Sequence, residues 1–125
     1  MENKPAIIPI YTSKGEAEAF LAYPFLYNRS GEWIGWITPK REVYSVLGYY
    51  VGSLTNDPRI LRKRVTSSLK PRLDPPPPPP KVYPPATIPL APMMSELTYS
   101  TMDVLLEEPE LLHTLDVGEF KEDLD

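Results

Sequence analysis

A tyrosine, a glycine four residues later and an apolar or aromatic cluster just beyond it recur three times in the first half of this 125-residue chain. Tyr11-Thr-Ser-Lys-Gly15 leads into Phe20-Leu21, Tyr27-Asn-Arg-Ser-Gly31 into Trp33-Ile-Gly35-Trp-Ile37, and Tyr44-Ser-Val-Leu-Gly48 into Tyr49-Tyr-Val-Gly52-Ser-Leu54. Self-similarity at a short period marks a fold assembled from small equivalent units. Each unit reads as two strand-like runs around a short polar connection, which is the composition of a tight β-hairpin. Gly31 and its equivalents Gly15 and Gly48 supply the positive φ of such a connection. Gly35 and Gly52 fall inside the returning strands, where glycine weakens a strand unless another backbone approaches closely. Their recurrence favours close packing, although the first unit carries Ala19 instead.

Turn signals separate the units: Tyr23-Pro24, Thr38-Pro39-Lys40-Arg41 and Thr55-Asn56-Asp57-Pro58. A fourth unit is degenerate, with Arg59 to Val65 able to supply one strand or a short helix; a terminal strand is the preferred reading. Glu16 to Ala22 has high helix propensity, which conflicts with the hairpin register and makes the first unit the weakest repeat.

Composition changes abruptly after residue 66. Residues 7–66 form the hairpin-repeat domain, 67–92 a basic and then proline-rich linker, and 93–125 an acidic, leucine-containing tail. Half the residues from Pro71 to Pro92 are proline, including the run Pro75 to Pro80, so amide donors are scarce and an extended polyproline II spacer is expected. Beyond it, Ser95 or Ser100 is positioned to cap a short helix carrying Met102, Leu105 and Leu106 before Pro109 interrupts it. Gly118 to Asp125 reads as disordered. The expected fold class is therefore all-β: a small pseudo-symmetric hairpin repeat closing into a shallow barrel, followed by a disordered proline-rich tail with room for a short helix.

About 60 residues must supply the core, and a domain of that size buries only roughly 60% of the surface its unfolded chain exposes. Homo-oligomerisation is one way to offset so small a core. Cysteine is absent, which excludes a disulfide framework, thiol catalysis and cysteine-type zinc sites and fits a cytoplasmic protein. The start Met1-Glu2-Asn3-Lys4-Pro5 lacks the basic and apolar pattern of a signal peptide. The longest uncharged apolar stretch, Val43 to Leu54, is too short to span a membrane. A net charge of -4 hides two opposed blocks. Arg59, Arg62, Lys63, Arg64, Lys70 and Arg72 form a basic stretch, whereas from Asp103 to Asp125 only Lys121 offsets nine carboxylates, so the tail is able to fold back onto the basic stretch.

Hairpins written as Tyr, turn, Gly, aromatic, Ile or Val, Gly, as in Tyr27 to Ile37 and Tyr44 to Leu54, resemble the bacterial four-fold β-flower domains. In that family, hairpin petals surround a pseudo-symmetric centre. The resemblance covers roughly Ile7 to Arg64 and extends to the proline-rich segment ending near Thr98-Tyr99-Ser100-Thr101. It implies an architecture and no established reaction, and no catalytic residue is carried over with it.

Catalysis finds little support in the residues themselves. The one histidine, His113, lies in the acidic tail without rigid surroundings to tune it, and Glu107, Glu108 and Glu110 read as a solvated face. Phosphate-binding loops, Ser/His/Asp sets and two-histidine metal spacings are absent, so no enzyme, cofactor or metal is expected. The leading expectation is a protein-interaction adaptor. Arg72-Leu-Asp-Pro75-Pro-Pro-Pro78 and, in the reverse orientation, Pro76 to Lys81 fit basic-anchored proline ligands. The tail leucines, with Met102, Val104, Leu105, Leu106, Leu111 and Leu112 as contact residues, are expected to enter a partner's groove. A second reading is a nucleic-acid-binding domain held back by its acidic tail, which the acidic balance and the core's need for aromatics weigh against. A third is a small apolar-ligand module with a pocket lined by Trp33, Trp36, Tyr49 and Tyr50.

Overall fold

A computed structural model describes residues 6–65 and 70–115. Among the described residues eight antiparallel strands form a single sheet whose order follows the sequence, curled into a half-barrel. They are β1 (Ile8–Tyr11), β2 (Ala17–Ala22), β3 (Phe25–Tyr27), β4 (Trp33–Ile37), β5 (Glu42–Ser45), β6 (Tyr50–Leu54), β7 (Ile60–Lys63) and β8 (Thr101–Asp103). A one-turn helix α1 (Val104–Glu107) and a 3-10 turn at Pro109–Leu111 follow.

The three repeats are three equivalent hairpins, β1–β2, β3–β4 and β5–β6. Tyr11, Tyr27 and Tyr44 each sit where the pairing register shifts, and each is buried. The residue after each tyrosine opens the turn. Thr12, Asn28 and Ser45 donate their N–H to the carbonyls of Glu16, Glu32 and Tyr49, and their own carbonyls accept from Gly15, Gly31 and Gly48 at 2.9–3.0 Å. That pattern, with the glycines at φ of +82 to +91°, is a type I turn closed by a left-handed bulge residue. The β4–β5 connection repeats it from Thr38 to Glu42, with Arg41 in the bulge position at φ 65°. Ala17–Ala22 is a strand despite its helix-forming composition, because pairing on both edges, with β1 and with β3, satisfies a backbone that a short helix would leave half exposed.

The fourth hairpin is complete, and its second strand comes from the tail. Leu61 opposes Asp103 in β7–β8 as Ile10 opposes Ala19, Leu26 opposes Gly35 and Val43 opposes Gly52 in the other three. Small residues are required at two of those positions by backbone approach. A Cβ on Gly35 would lie 2.5 Å from the Tyr44 carbonyl oxygen, and one on Gly52 would lie 2.6 Å from that of Leu61.

The tail therefore differs from its expected role. Val104, Leu105 and Leu112 belong to the same buried cluster as Ile10, Leu26, Ile34, Val43, Val51 and Ile60, and Leu111 packs against it half-buried. Met102 is buried in β8, and of the six tail residues only Leu106 is exposed. A 60-residue half-barrel buries only roughly 60% of the surface its unfolded chain exposes, and the leucines expected to dock on a partner instead extend its own core. The folded unit consequently runs past residue 66 as far as Leu115, which packs half-buried against the cluster of Ala22, Tyr27, Trp33 and Val46. The helix is shorter than expected: Met102 is in a strand, Asp103 precedes α1 without a side-chain cap, and Pro109 opens the 3-10 turn. The reading of Gly118 to Asp125 lies outside the described residues.

Candidate protein-interaction surface

Between β7 and β8 the chain leaves the sheet, and residues 70–97 carry neither helix nor strand. This strap passes the three petal turns in reverse order. In each turn the glycine uses its N–H inside the hairpin, which leaves its carbonyl free to face outward. Leu73 N–H donates to the Gly48 carbonyl at 3.0 Å, and Val82 N–H donates to the Gly31 carbonyl at 3.0 Å. At Gly15 the neighbour is Ala91, whose Cβ would lie 3.7 Å from a Cβ built on the glycine, while the Tyr11 hydroxyl donates to the Pro89 carbonyl at 2.7 Å. Proline has no amide hydrogen, so the donors flanking the six-proline run are the positions able to fasten it. The glycines also supply the space: a Cβ on Gly48 would sit 2.0 Å from the Leu73 oxygen, and one on Gly31 1.9 Å from the Val82 oxygen.

The contact residues 73, 82 and 91 are nine apart, which is three turns of a polyproline II helix. Burial along the strap has the same period of three. Leu73, Pro76, Pro79 and Val82 are half-buried, whereas Asp74, Pro77, Pro80 and Tyr83 are exposed. The third row is mixed, with Pro75 and Pro84 half-buried and Pro78 and Lys81 exposed. A sequence signal for this register exists in a nine-residue phase: Pro71-Arg-Leu73-Asp-Pro75, Pro80-Lys-Val82-Tyr-Pro84 and Pro89-Leu-Ala91-Pro-Met93. Low-complexity proline masks it, because most positions of the repeat are the same residue.

Trp33, Trp36, Tyr49 and Tyr50, the residues expected to line an apolar pocket, make separate contacts with neighbouring rings and side chains. Buried Trp33 donates from Nε1 to the Gly35 carbonyl at 2.6 Å and meets Phe25 edge-on. Trp36 stacks on Tyr44 with centroids 5.1 Å apart, and Tyr50 meets Tyr44 edge-on. The Phe25–Trp33 and Tyr44–Tyr50 pairs pack within one petal, whereas Trp36 on Tyr44 bridges the second and third, and such large rings fill much of a small core. They also seat the strap: Val82 packs against the cluster of Ala22, Tyr27, Trp33 and Val46. Tyr49 lies exposed beneath the Arg72 guanidinium, 5.9 Å from its ring centroid, and Arg72 Nε donates to the Leu47 carbonyl at 2.7 Å. Lys70 pairs with Glu42 at 2.8 Å and lies over Tyr50; its hydrogen bond to that carboxylate raises the ammonium pKa.

A second polar constellation closes the seam of the half-barrel. Asp103 Oδ2 accepts from the Ser13 amide at 2.6 Å and from Ser13 Oγ at 2.7 Å. Ser13 Oγ accepts from Arg59 Nη1 at 3.0 Å, and the Arg59 guanidinium, almost wholly buried, pairs with Asp57 at 2.8 Å. Burial pushes the Asp57 carboxyl up, but hydrogen bonds from Arg59 and Thr55 outweigh it and hold the group below its ordinary range. Nearby, Arg64 clasps Glu107 through two hydrogen bonds of 2.8 and 3.0 Å, which lower the Glu107 pKa. A cavity of about 250 Å³ lies here, lined by Ser13, Arg59, Asp103, Leu106, Glu107 and residues 94–97. Ser13 has a carboxylate and a guanidinium beside it and no imidazole; His113 Nδ1 lies 2.8 Å from the Thr114 carbonyl. The arrangement ties β8 and the β6–β7 turn to the first petal. Among the described residues no group of three or more His, Asp or Glu side chains is placed to hold a metal ion, and no helix is long and apolar enough to cross a membrane.

No protein-family model matches this chain, and neither a curated protein nor a solved structure is found to be similar to it.

Proposed function

We propose that this protein is a non-enzymatic protein-interaction scaffold of the four-fold β-flower kind, in which the petals rack a proline-rich strap and present it to another protein. The observation that carries this reading is the fastening of Leu73 and Val82, on either side of the six-proline run, to the bulge carbonyls of Gly48 and Gly31. A free proline-rich segment loses conformational entropy when it is bound, and one already held extended loses less. Three equivalent hairpins and a fourth antiparallel pair completed by β8 support the family reading. The nucleic-acid reading loses support because the basic stretch is largely engaged within the chain. Arg59 pairs with Asp57, Arg64 with Glu107, Lys70 with Glu42 and Arg72 with Asp74.

Site-specific photo-crosslinking in cells of the source organism tests the proposal. A photo-reactive phenylalanine replaces Tyr83 on the strap or, as a control, Tyr23 in the β2–β3 turn; both side chains are more than half exposed. A discrete adduct with another protein from position 83 and not from position 23 supports the scaffold. Failure to form any adduct at 83, or the same adducts from both positions, rejects it.

A further inference from the structure

Resting on the scaffold reading, the geometry points to a partner domain with an aromatic-lined, acid-rimmed groove that reads the outer row Pro77, Pro80 and Tyr83 together with Lys81. We infer this from which strap faces the domain leaves open. A polyproline II segment presents three rows of residues, and same-row neighbours are about 9 Å apart at a rise of roughly 3.1 Å per residue. Grooves that recognise such segments engage aromatic side chains with successive proline rungs on exposed rows. Here the row of Leu73, Pro76, Pro79 and Val82 is half-buried and fastened to the petals at both ends, and the row of Pro77, Pro80 and Tyr83 faces solvent.

The two basic-anchored registers legible in the sequence are the ones the fold obstructs. In Arg72-x-x-Pro75-x-x-Pro78 the guanidinium is committed to the Leu47 carbonyl and Pro75 is half-buried. In Pro76-x-x-Pro79-x-Lys81 both prolines lie on the inner row. A reader of the second register would have to displace the face that the Leu73 and Val82 hydrogen bonds fasten. The outer row requires no such rearrangement. Its aromatic end, Tyr83, is 87% exposed although Val82 and Pro84 on either side are half-buried, so the ring is held outward by an anchored backbone. Lys81 is exposed and makes no ion pair among the described residues, whereas Lys70 and Arg72 at the start of the strap are both paired. An unpaired cation beside a proline ladder is what acidic residues at a groove's rim complement.

The test titrates a panel of recombinant SH3 and WW domains, spanning neutral and acid-rimmed grooves, into the isotope-labelled full chain and follows amide shifts. The expected result is binding by at least one acid-rimmed member. Pro77→Ala with Pro80→Ala, or Lys81→Glu, then weakens that binding at least tenfold. Pro76→Ala with Pro79→Ala changes it by less than threefold, and the Leu73 and Val82 amides stay protected from exchange in the complex. Absence of binding across the panel overturns the inference. So does binding in which the inner-row variant loses as much as the outer and both amides lose protection, since the strap is then read only after release. A Tyr83 crosslink obtained without any binder in the panel rejects this partner class and leaves the scaffold standing.

Discussion

Replacing Gly31 by alanine separates the strap's contribution to stability from the turn's. At φ +82° an alanine is disfavoured by about 1–2 kcal/mol. The new Cβ would also fall 1.9 Å from the Val82 carbonyl oxygen, a backbone atom that cannot be moved aside without lifting the strap. Lifting it breaks the Val82 to Gly31 hydrogen bond, a net loss of about 1 kcal/mol. It also exposes the half-buried Val82 side chain, worth about 1 kcal/mol more. Gly31→Ala should therefore cost about 3–4 kcal/mol. Gly15→Ala is the internal control, because its φ is +84° yet its Cβ would meet only the Ala91 Cβ at an ordinary 3.7 Å, so about 1–2 kcal/mol is expected. Urea unfolding followed by tryptophan fluorescence measures the roughly 2 kcal/mol gap. Amide exchange should report loss of protection at Val82 in Gly31→Ala and retention in Gly15→Ala. Equal destabilisation of the two variants, or a Val82 amide still protected in Gly31→Ala, would refute the racked strap.

Leu105→Ala removes a buried tail side chain from the domain's core cluster and should cost about 2–5 kcal/mol in denaturant unfolding, whereas an accessory tail would show no change. Asp57→Ala leaves the buried Arg59 guanidinium without its counter-charge, and a loss of about 3 kcal/mol is expected by the same measurement. The Arg64–Glu107 pair should respond to acid. Because the folded Glu107 pKa lies below its unfolded value, the pair stabilises the native state above the ordinary carboxylate range, and the contribution is lost as pH falls through the folded value. The stability difference between the native protein and Glu107→Gln should accordingly shrink between about pH 7 and about pH 3, and a difference that grows on acidification would contradict the pairing.

Much of the petal architecture was legible because turn chemistry is local. Tyr11, Tyr27 and Tyr44 and the glycines four residues beyond them mark three hairpins, since a type I turn with a left-handed bulge is specified within five residues. Gly35 and Gly52 announced close backbone approach, and the proline run announced an extended chain. Long-range pairing decided the rest. Ala17–Ala22 reads as helix by propensity and is a strand because β1 and β3 flank it. Thr101–Asp103 carries no strand signature of its own; it becomes β8 because β7, on the far side of residues 64–100, offers an unpaired edge. The leucines after it read equally well as ligands for a foreign groove. Composition specifies that they must be buried, but it cannot specify against what: that choice depends on an incomplete half-barrel core lying within reach in the same chain, where docking costs only the closure entropy of a connection that the petals already hold extended.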